Sequence, residues 1–297
     1  MSNREKIFNE FIEESNLKAR TRDSYKVSYK YFDEMDKNIL QSTQTEIINY
    51  VDEIEGKSNN TKAMILNIAI QIRKQNKRGV DKIFIAKGKY ADNFKLEKEK
   101  DHKEKLESLP SVTQLMAHEN KLYRDKDWKG YIVVSLLRLL SARNMDLNIG
   151  IIAPTRSKRK MKEEDKNNYI ILRKNDVYVI RGDYKTKGKY GVKKDIIRSR
   201  KLQNAIKKYV AEKDMEISND PIWLLSESGK KLKEDSIAKA IRKHTLNNLG
   251  EGDYNKIFVS QFVDVKNMKG LRKVSEMRGT SLQVLLDSYH LEMPQDI

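Results

Sequence analysis

The stretch GYIVVSLLRLLSARNMDLNIGII, residues 130–152, limits the fold of this chain more than any other. It is nearly continuous in apolar residues, so it must be covered on all sides. It is also too short and too interrupted to match the roughly 20 apolar residues that a bilayer span requires. The pattern predicts a buried helix at the centre of a soluble domain. Arg143 lies within it, and burying a guanidinium is costly unless the group is paired or faces a ligand. Asp146 and Asp183 are the structural partners to expect.

Helical patterns also fill the first third. Ile7, Phe8, Phe11 and Ile12 share one helical face, and Tyr25, Tyr29 and Phe32 form a second apolar stripe, with Thr21 or Ser24 as its cap. Thr43 or Thr45 precedes Ile47, Ile48 and Val51. Ile65, Ile68, Ala69 and Ile72 follow, with Gly79 as the stop. Residues 1–86 therefore read as a helical bundle. Residues 87–109 are highly charged and read as an exposed linker, with a short helix as the alternative. Residues 110–297 form the second domain. Within it, YIILRKN, DVYVIRGDY and VKKDIIRS are β-branched runs separated by turn residues, which predicts a small antiparallel sheet in a mainly α fold.

Charge narrows the partner. Lys and Arg number 60 against 43 Asp and Glu, a formal net charge of +17 spread along the chain. That excess favours a polyanion, with nucleic acid first, although a lysine-rich coding bias gives the same balance. With no cysteine and only four histidines, none paired at ligand spacing, a disulfide framework, a zinc finger and a thiol nucleophile are excluded, and no metal is expected. The N-terminus has no secretory pattern, so a soluble, intracellular protein without membrane contact is expected.

The sharpest motif lies near the C-terminus, where Leu271-Arg272-Lys273-Val274-Ser275-Glu276-Met277-Arg278-Gly279-Thr280-Ser281 precedes Tyr289. With Ser141-Ala142-Arg143-Asn144-Met145-Asp146-Leu147 and the basic turn Tyr184-Lys185-Thr186-Lys187-Gly188-Lys189, it resembles the tyrosine recombinases, or phage-type integrases. The order and spacing of these motifs carry the likeness more than any one of them. It extends to the N-terminal third, which looks like that family's helical core-binding domain ahead of a catalytic domain.

The resemblance implies the chemistry. Tyr289 would attack a DNA phosphate, giving a 3′-phosphotyrosyl link and a free 5′-hydroxyl, with no cofactor because the link retains the bond energy. Arg143 would clamp a nonbridging oxygen, and Lys185, or Lys187 after it, would protonate the leaving oxygen. The family pattern is incomplete here. Gly252 stands at a histidine position, Asn255 at the second arginine and Thr280 at another histidine, with Lys256, Arg278 and His290 as candidate substitutes. An active recombinase, self-associating as a tetramer on paired duplex sites, and a degenerate relative that binds DNA without cutting are both open readings. A basic RNA-binding or scaffold protein is a third. In the N-terminal domain, Lys18, Arg20, Arg22, Lys62, Arg73, Lys74 and Lys77 would face phosphates.

Overall fold

The computed structural model describes residues 3–17, 19–153, 167–214, 217–218, 220–262 and 268–289, with residues 3, 19–20, 99, 102–107, 261–262, 268–269 and 287–289 described by backbone alone. The chain divides into two compact units, Met1–Glu107 and Ser108–Ile297.

The first unit contains α1 (Asn3–Glu14), α2 (Ala19–Tyr29), α3 (Gln44–Glu53), α4 (Asn59–Gln75) and α5 (Asp81–Ser108). Its core joins the expected stripes: Phe8, Phe11, Tyr29 and Phe32 pack with Ile47, Val51 and the Ile65, Ile68 and Ile72 face of α4. The Phe8 and Tyr29 rings stack at 4.7 Å. Thr43 caps α3 in a reciprocal arrangement with Glu46, so two backbone donors that the helix leaves open are both satisfied. Helix α2 starts at Ala19, so Thr21 and Ser24 lie inside it rather than ahead of it.

Two further expectations change. Helix α4 ends at Gln75 rather than running to Gly79, and Lys77 takes the left-handed conformation beyond it. The charged segment from residue 87 onward is the continuation of α5. Its lysines, glutamates and leucines are strong helix formers. Tyr90 donates to Asp52, and Asn59 donates to Glu97, so the helix is tied to the bundle well past its first turns.

Arg73, expected to face phosphate, is 6% exposed. Its guanidinium donates to the carbonyls of Gly79, Ile39 and Ser42 at 2.9, 2.8 and 2.7 Å, stitching two loops to α4. Replacing it leaves those acceptors unpaired, so Arg73→Met should lower unfolding stability by about 3 kcal/mol, whereas Lys74→Met on the exposed side should change it by less than about 0.5 kcal/mol. Urea titration of the two variants measures both.

The second unit contains α6 (Val112–Arg124), α7 (Trp128–Leu140), strands β1 (Ile149–Ile152), β2 (Asn168–Leu172) and β3 (Val177–Arg181), the short α8 (Lys187–Tyr190), β4 (Lys193–Ile197), α9 (Arg200–Glu212), β5 (Ile222–Trp223), α10 (Glu234–Arg242), α11 (Glu251–Phe262), α12 (Met268–Arg278) and α13 (Leu282–Tyr289). The unit is mostly helical with one small sheet, as expected, but the sheet is mixed. Its order is β4-β3-β2-β1-β5, and β1 runs parallel to β2 while the other pairs are antiparallel. Strand β1 was hidden in the apolar run that reads as one helix. That helix stops at Leu140 because Ser141 turns left-handed at φ 44°, and a 3-10 turn, Asn144–Leu147, leads into the strand. Periodicity cannot separate a buried strand from a buried helix when nearly every position is apolar.

Helix α7 packs on α6 and α9 at the centre of the larger core. Its Arg138 is reconciled with that position by Glu119, a buried carboxylate that accepts from Arg138 Nε and Nη2 at 2.8 and 2.9 Å and from Ser135 Oγ at 2.7 Å.

Candidate functional site

The site is built around the turn that follows α7. Arg143 has extended backbone, and its N–H donates to Asp146 Oδ2 at 3.1 Å. The same oxygen accepts from Arg181 Nη1 at 3.0 Å. Arg181 is fully buried at the end of β3; its Nε and Nη2 reach Asp195 Oδ2 on β4 at 3.1 and 2.9 Å, and Nη2 also donates to the Met277 carbonyl at 2.8 Å. One guanidinium thereby joins the turn, the sheet and the end of α12.

A second set of bonds holds the turn from the other side. Asn255 on α11 donates to the Ala142 carbonyl at 3.1 Å and to Glu251. Arg278 donates to the Ser141 carbonyl at 3.1 Å and pairs with Glu251. Asn255 and Arg278 are each 1% exposed. Both carbonyls ahead of Arg143 are thus fixed by buried donors, which sets the direction in which its side chain leaves the turn.

Helix α12 ends in a Schellman motif. Gly279 has φ +66°, its N–H donates to the Glu276 carbonyl at 3.1 Å, and the Thr280 N–H reaches back to Ser275 at 3.0 Å. The Gly279 carbonyl accepts from Thr186 Oγ1 at 2.8 Å and, at the long distance of 3.4 Å, from Arg143 Nη2. Arg143 Nη1 is buried, and among the described residues no hydrogen-bond partner reaches it. Buried polar groups are almost always paired, so this donor is available to an acceptor beyond the described residues.

Lys193, at the start of β4, completes the cluster. Its Nζ donates to the Glu276 carbonyl and, at 3.2 Å, to that of Met277, and it lies 5.5 Å from the ring centres of Tyr184 and Tyr190. Burial, reinforced by Arg181 and Arg143 and partly offset by Asp195 and Asp146, pulls its ammonium down to a pKa of about 8. Burial pushes the neighbouring Tyr184 hydroxyl up; that hydroxyl donates to the Gly191 carbonyl at 2.6 Å. An arginine donor without a partner among the described residues suits an oxyanion, and a lysine with its pKa lowered to about 8 suits proton exchange.

No family model matches this chain, and no curated protein matches it. Among solved structures it is similar to the crystal structure of XerA recombinase, at 14% identity over 98% of this chain and 94% of that chain, with a TM-score of 0.39.

Of the residues expected from sequence, Arg143 lies in the cluster, but on the turn after the apolar helix rather than inside it. The expected pairing of Arg143 with Asp146 or Asp183 is corrected: the Asp146 carboxylate pairs with Arg181 and takes only the main-chain N–H of Arg143, and Asp183 pairs with Lys231 at 2.8 Å. Lys185 is exposed in the β3–β4 connection, and Lys187 begins α8. Lys256 lies 3.7 Å from Asp253, and Thr280 spends its N–H inside the Schellman motif. Arg278 is no open clamp, because Glu251 and the Ser141 carbonyl hold it in the interior. Tyr289 is the last residue of α13; its side chain and the whole of His290 lie outside the described residues.

In the first unit, Arg22 donates to the Leu17 carbonyl at 2.9 Å and Lys62 to that of Asp52 at 2.8 Å, while Lys74 and Lys77 are exposed. Lys18 lies outside the described residues, and so does the side chain of Arg20. Lys193, Arg181, Thr186 and Glu251 were not anticipated. The available signal was an arginine closing the apolar strand VYVIR, with Asp195 one diagonal away across the β3–β4 register.

A Cβ at Gly279 would lie 2.7 Å from Thr186 Oγ1 and 3.0 Å from Lys193 Nζ, on a backbone that disfavours L side chains. Gly279→Ala should therefore lower stability by about 2 kcal/mol, read by urea titration. Lys193 should be acylated by a small amine-directed reagent with a rate that levels off above about pH 8, as read by peptide mass spectrometry across a pH series, because its neutral form is already abundant there. The sign for stability follows: the folded chain binds this proton more weakly than the unfolded one, so the penalty from Lys193 is fully present below about pH 8 and fades as pH rises toward 10.5.

Proposed function

We propose that this chain is a DNA-binding protein of the tyrosine-recombinase type, in which Arg143 receives a backbone phosphate beside Lys193. The observation that carries the reading is the buried Nη1 of Arg143, without a partner among the described residues, on a turn whose two preceding carbonyls are held by Asn255 and Arg278, both bonded to Glu251. A phosphate offers the paired, charged oxygens that best accept the hydrogen bonds a guanidinium edge donates. The net charge of +17 supplies the long-range attraction for duplex DNA.

On this reading Tyr289 is the nucleophile. Its hydroxyl attacks phosphorus, its proton is lost to a base or solvent, the 3′-phosphotyrosyl bond forms and the 5′-oxygen departs with a proton. Lys193 is the better-supported donor of that proton: burial lowers its ammonium to a pKa of about 8, beside the carbonyls that end α12. The reverse attack by a hydroxyl from another strand rejoins the DNA, with four protomers assembling on paired sites.

A second reading, binding without cleavage, is favoured by one specific feature: Asn255 holds the Ala142 carbonyl where the family carries its second arginine, and Arg278 is neutralised by Glu251. Each missing oxyanion donor typically costs about 100- to 1,000-fold in rate.

A nicked suicide duplex separates the two. Strand transfer predicts a covalent protein–DNA adduct that disappears in Tyr289→Phe and slows at least about 100-fold in Arg143→Ala. If no adduct forms while both variants bind duplex like the parent, the protein is a non-cutting binder. Loss of duplex binding below that for RNA of equal length would reject both readings.

A further inference from the structure

Helix α5 buries Ile83 and presents two large apolar side chains to solvent right after it, Phe84 at 58% and Ile85 at 62% exposed. Scattered exposed apolar residues are ordinary; the setting of this pair is not. Gly88 follows on the same helical face, one turn after Phe84. A glycine in a helix interior costs about 1 kcal/mol relative to alanine. A Cβ on Gly88 would meet nothing within 4 Å, so packing does not call for the glycine. Its effect is to leave bare backbone beside an open aromatic ring.

Cations surround that ring. Lys74 of α4 and Lys87 each place Nζ 5.9 Å from the Phe84 ring centre, and Lys87 Nζ also donates to Asn67 Oδ1 at 2.9 Å. Lys77, Arg78, Lys82 and Lys89 are exposed nearby in sequence, against the carboxylates of Asp81 and Asp92. Lysine is depleted at protein–protein interfaces, so a lysine-rimmed apolar patch is poorly suited to a protein partner. It suits a partner with both negative charge and a flat apolar face. Nucleic acid with an unstacked base has both.

We propose that the Phe84 face of the first unit is a contact for single-stranded or locally unstacked nucleic acid. The ring receives a base, the gap at Gly88 admits its sugar edge, and exposed Lys74 turns to a flanking phosphate while Lys87 stays on Asn67. The contact is separate from strand transfer in the second unit and operates whether or not Tyr289 attacks.

The test uses the full chain with a short fluorescent oligothymidine and a duplex of equal length, each across a salt series. Phe84→Ala should weaken single-strand binding about 5- to 100-fold with the salt slope unchanged, because stacking is lost and no phosphate contact is. Lys74→Ala should instead reduce the slope by about one. In Phe84→Trp, oligothymidine should quench indole fluorescence beyond the change that Trp128 and Trp223 give in the parent. Equal single-strand affinity in Phe84→Ala together with no added quenching would overturn the proposal. Concentration-dependent self-association that Phe84→Ala abolishes would overturn it as well, by assigning the face to a second copy of the chain.

Discussion

The architecture around the candidate site depends on one buried guanidinium. Arg181 is closed off from solvent and faces two carboxylates, Asp146 and Asp195, together with the Met277 carbonyl. Desolvating such a group is expensive, and an apolar substitute of the same shape is often at least as stable. Its contribution is therefore geometric. Four separate pieces of chain, the turn after α7, strands β3 and β4 and the end of α12, must meet at fixed distances for the charge to be matched. An arrangement that omits any of them strands an ion.

That constraint fixes the surroundings of Arg143. Of the three arginines near the turn, Arg181 and Arg278 are held by carboxylates and carbonyls in the interior, and Arg143 keeps a donor without a partner among the described residues. Asn255 and Arg278 work as supports, gripping the carbonyls of Ala142 and Ser141. Preorganisation of this kind matters for a site that recognises an oxyanion, since a donor already aimed has little reorganisation left to do when charge arrives. Burial in the same cluster as Arg143 also lowers the proton affinity of Lys193.

The helical first unit was legible because its apolar stripes are clean: Phe8, Phe11, Tyr29 and Ile72 each fall where a 3.6-residue repeat puts them, and all are buried. Strands β2, β3 and β4 were legible from β-branched runs between turn residues. Strand β1 was not, since Ile149–Ile152 lies in an apolar stretch without periodicity and becomes a strand only through its parallel partner. Charged residues were read least well. Arg73 and Arg278 look like surface cations in one dimension and are interior ties in three, because the acceptors that hold them are mostly main-chain carbonyls contributed by distant loops. Lys193 was overlooked in favour of Lys185 for a related reason: what distinguishes it is contact with the end of α12, more than eighty residues away.

Several of the ties that fasten the end of α12 share this character. Arg181 and Lys193 bind the carbonyls of Glu276 and Met277, and Thr186 binds that of Gly279. A peptide oxygen is the same atom whatever side chain accompanies it. Positions 276 and 277 are consequently free to drift over generations as long as the donors and the glycine persist, and a latch written in main-chain atoms can outlast the residue signature by which kinship is ordinarily traced.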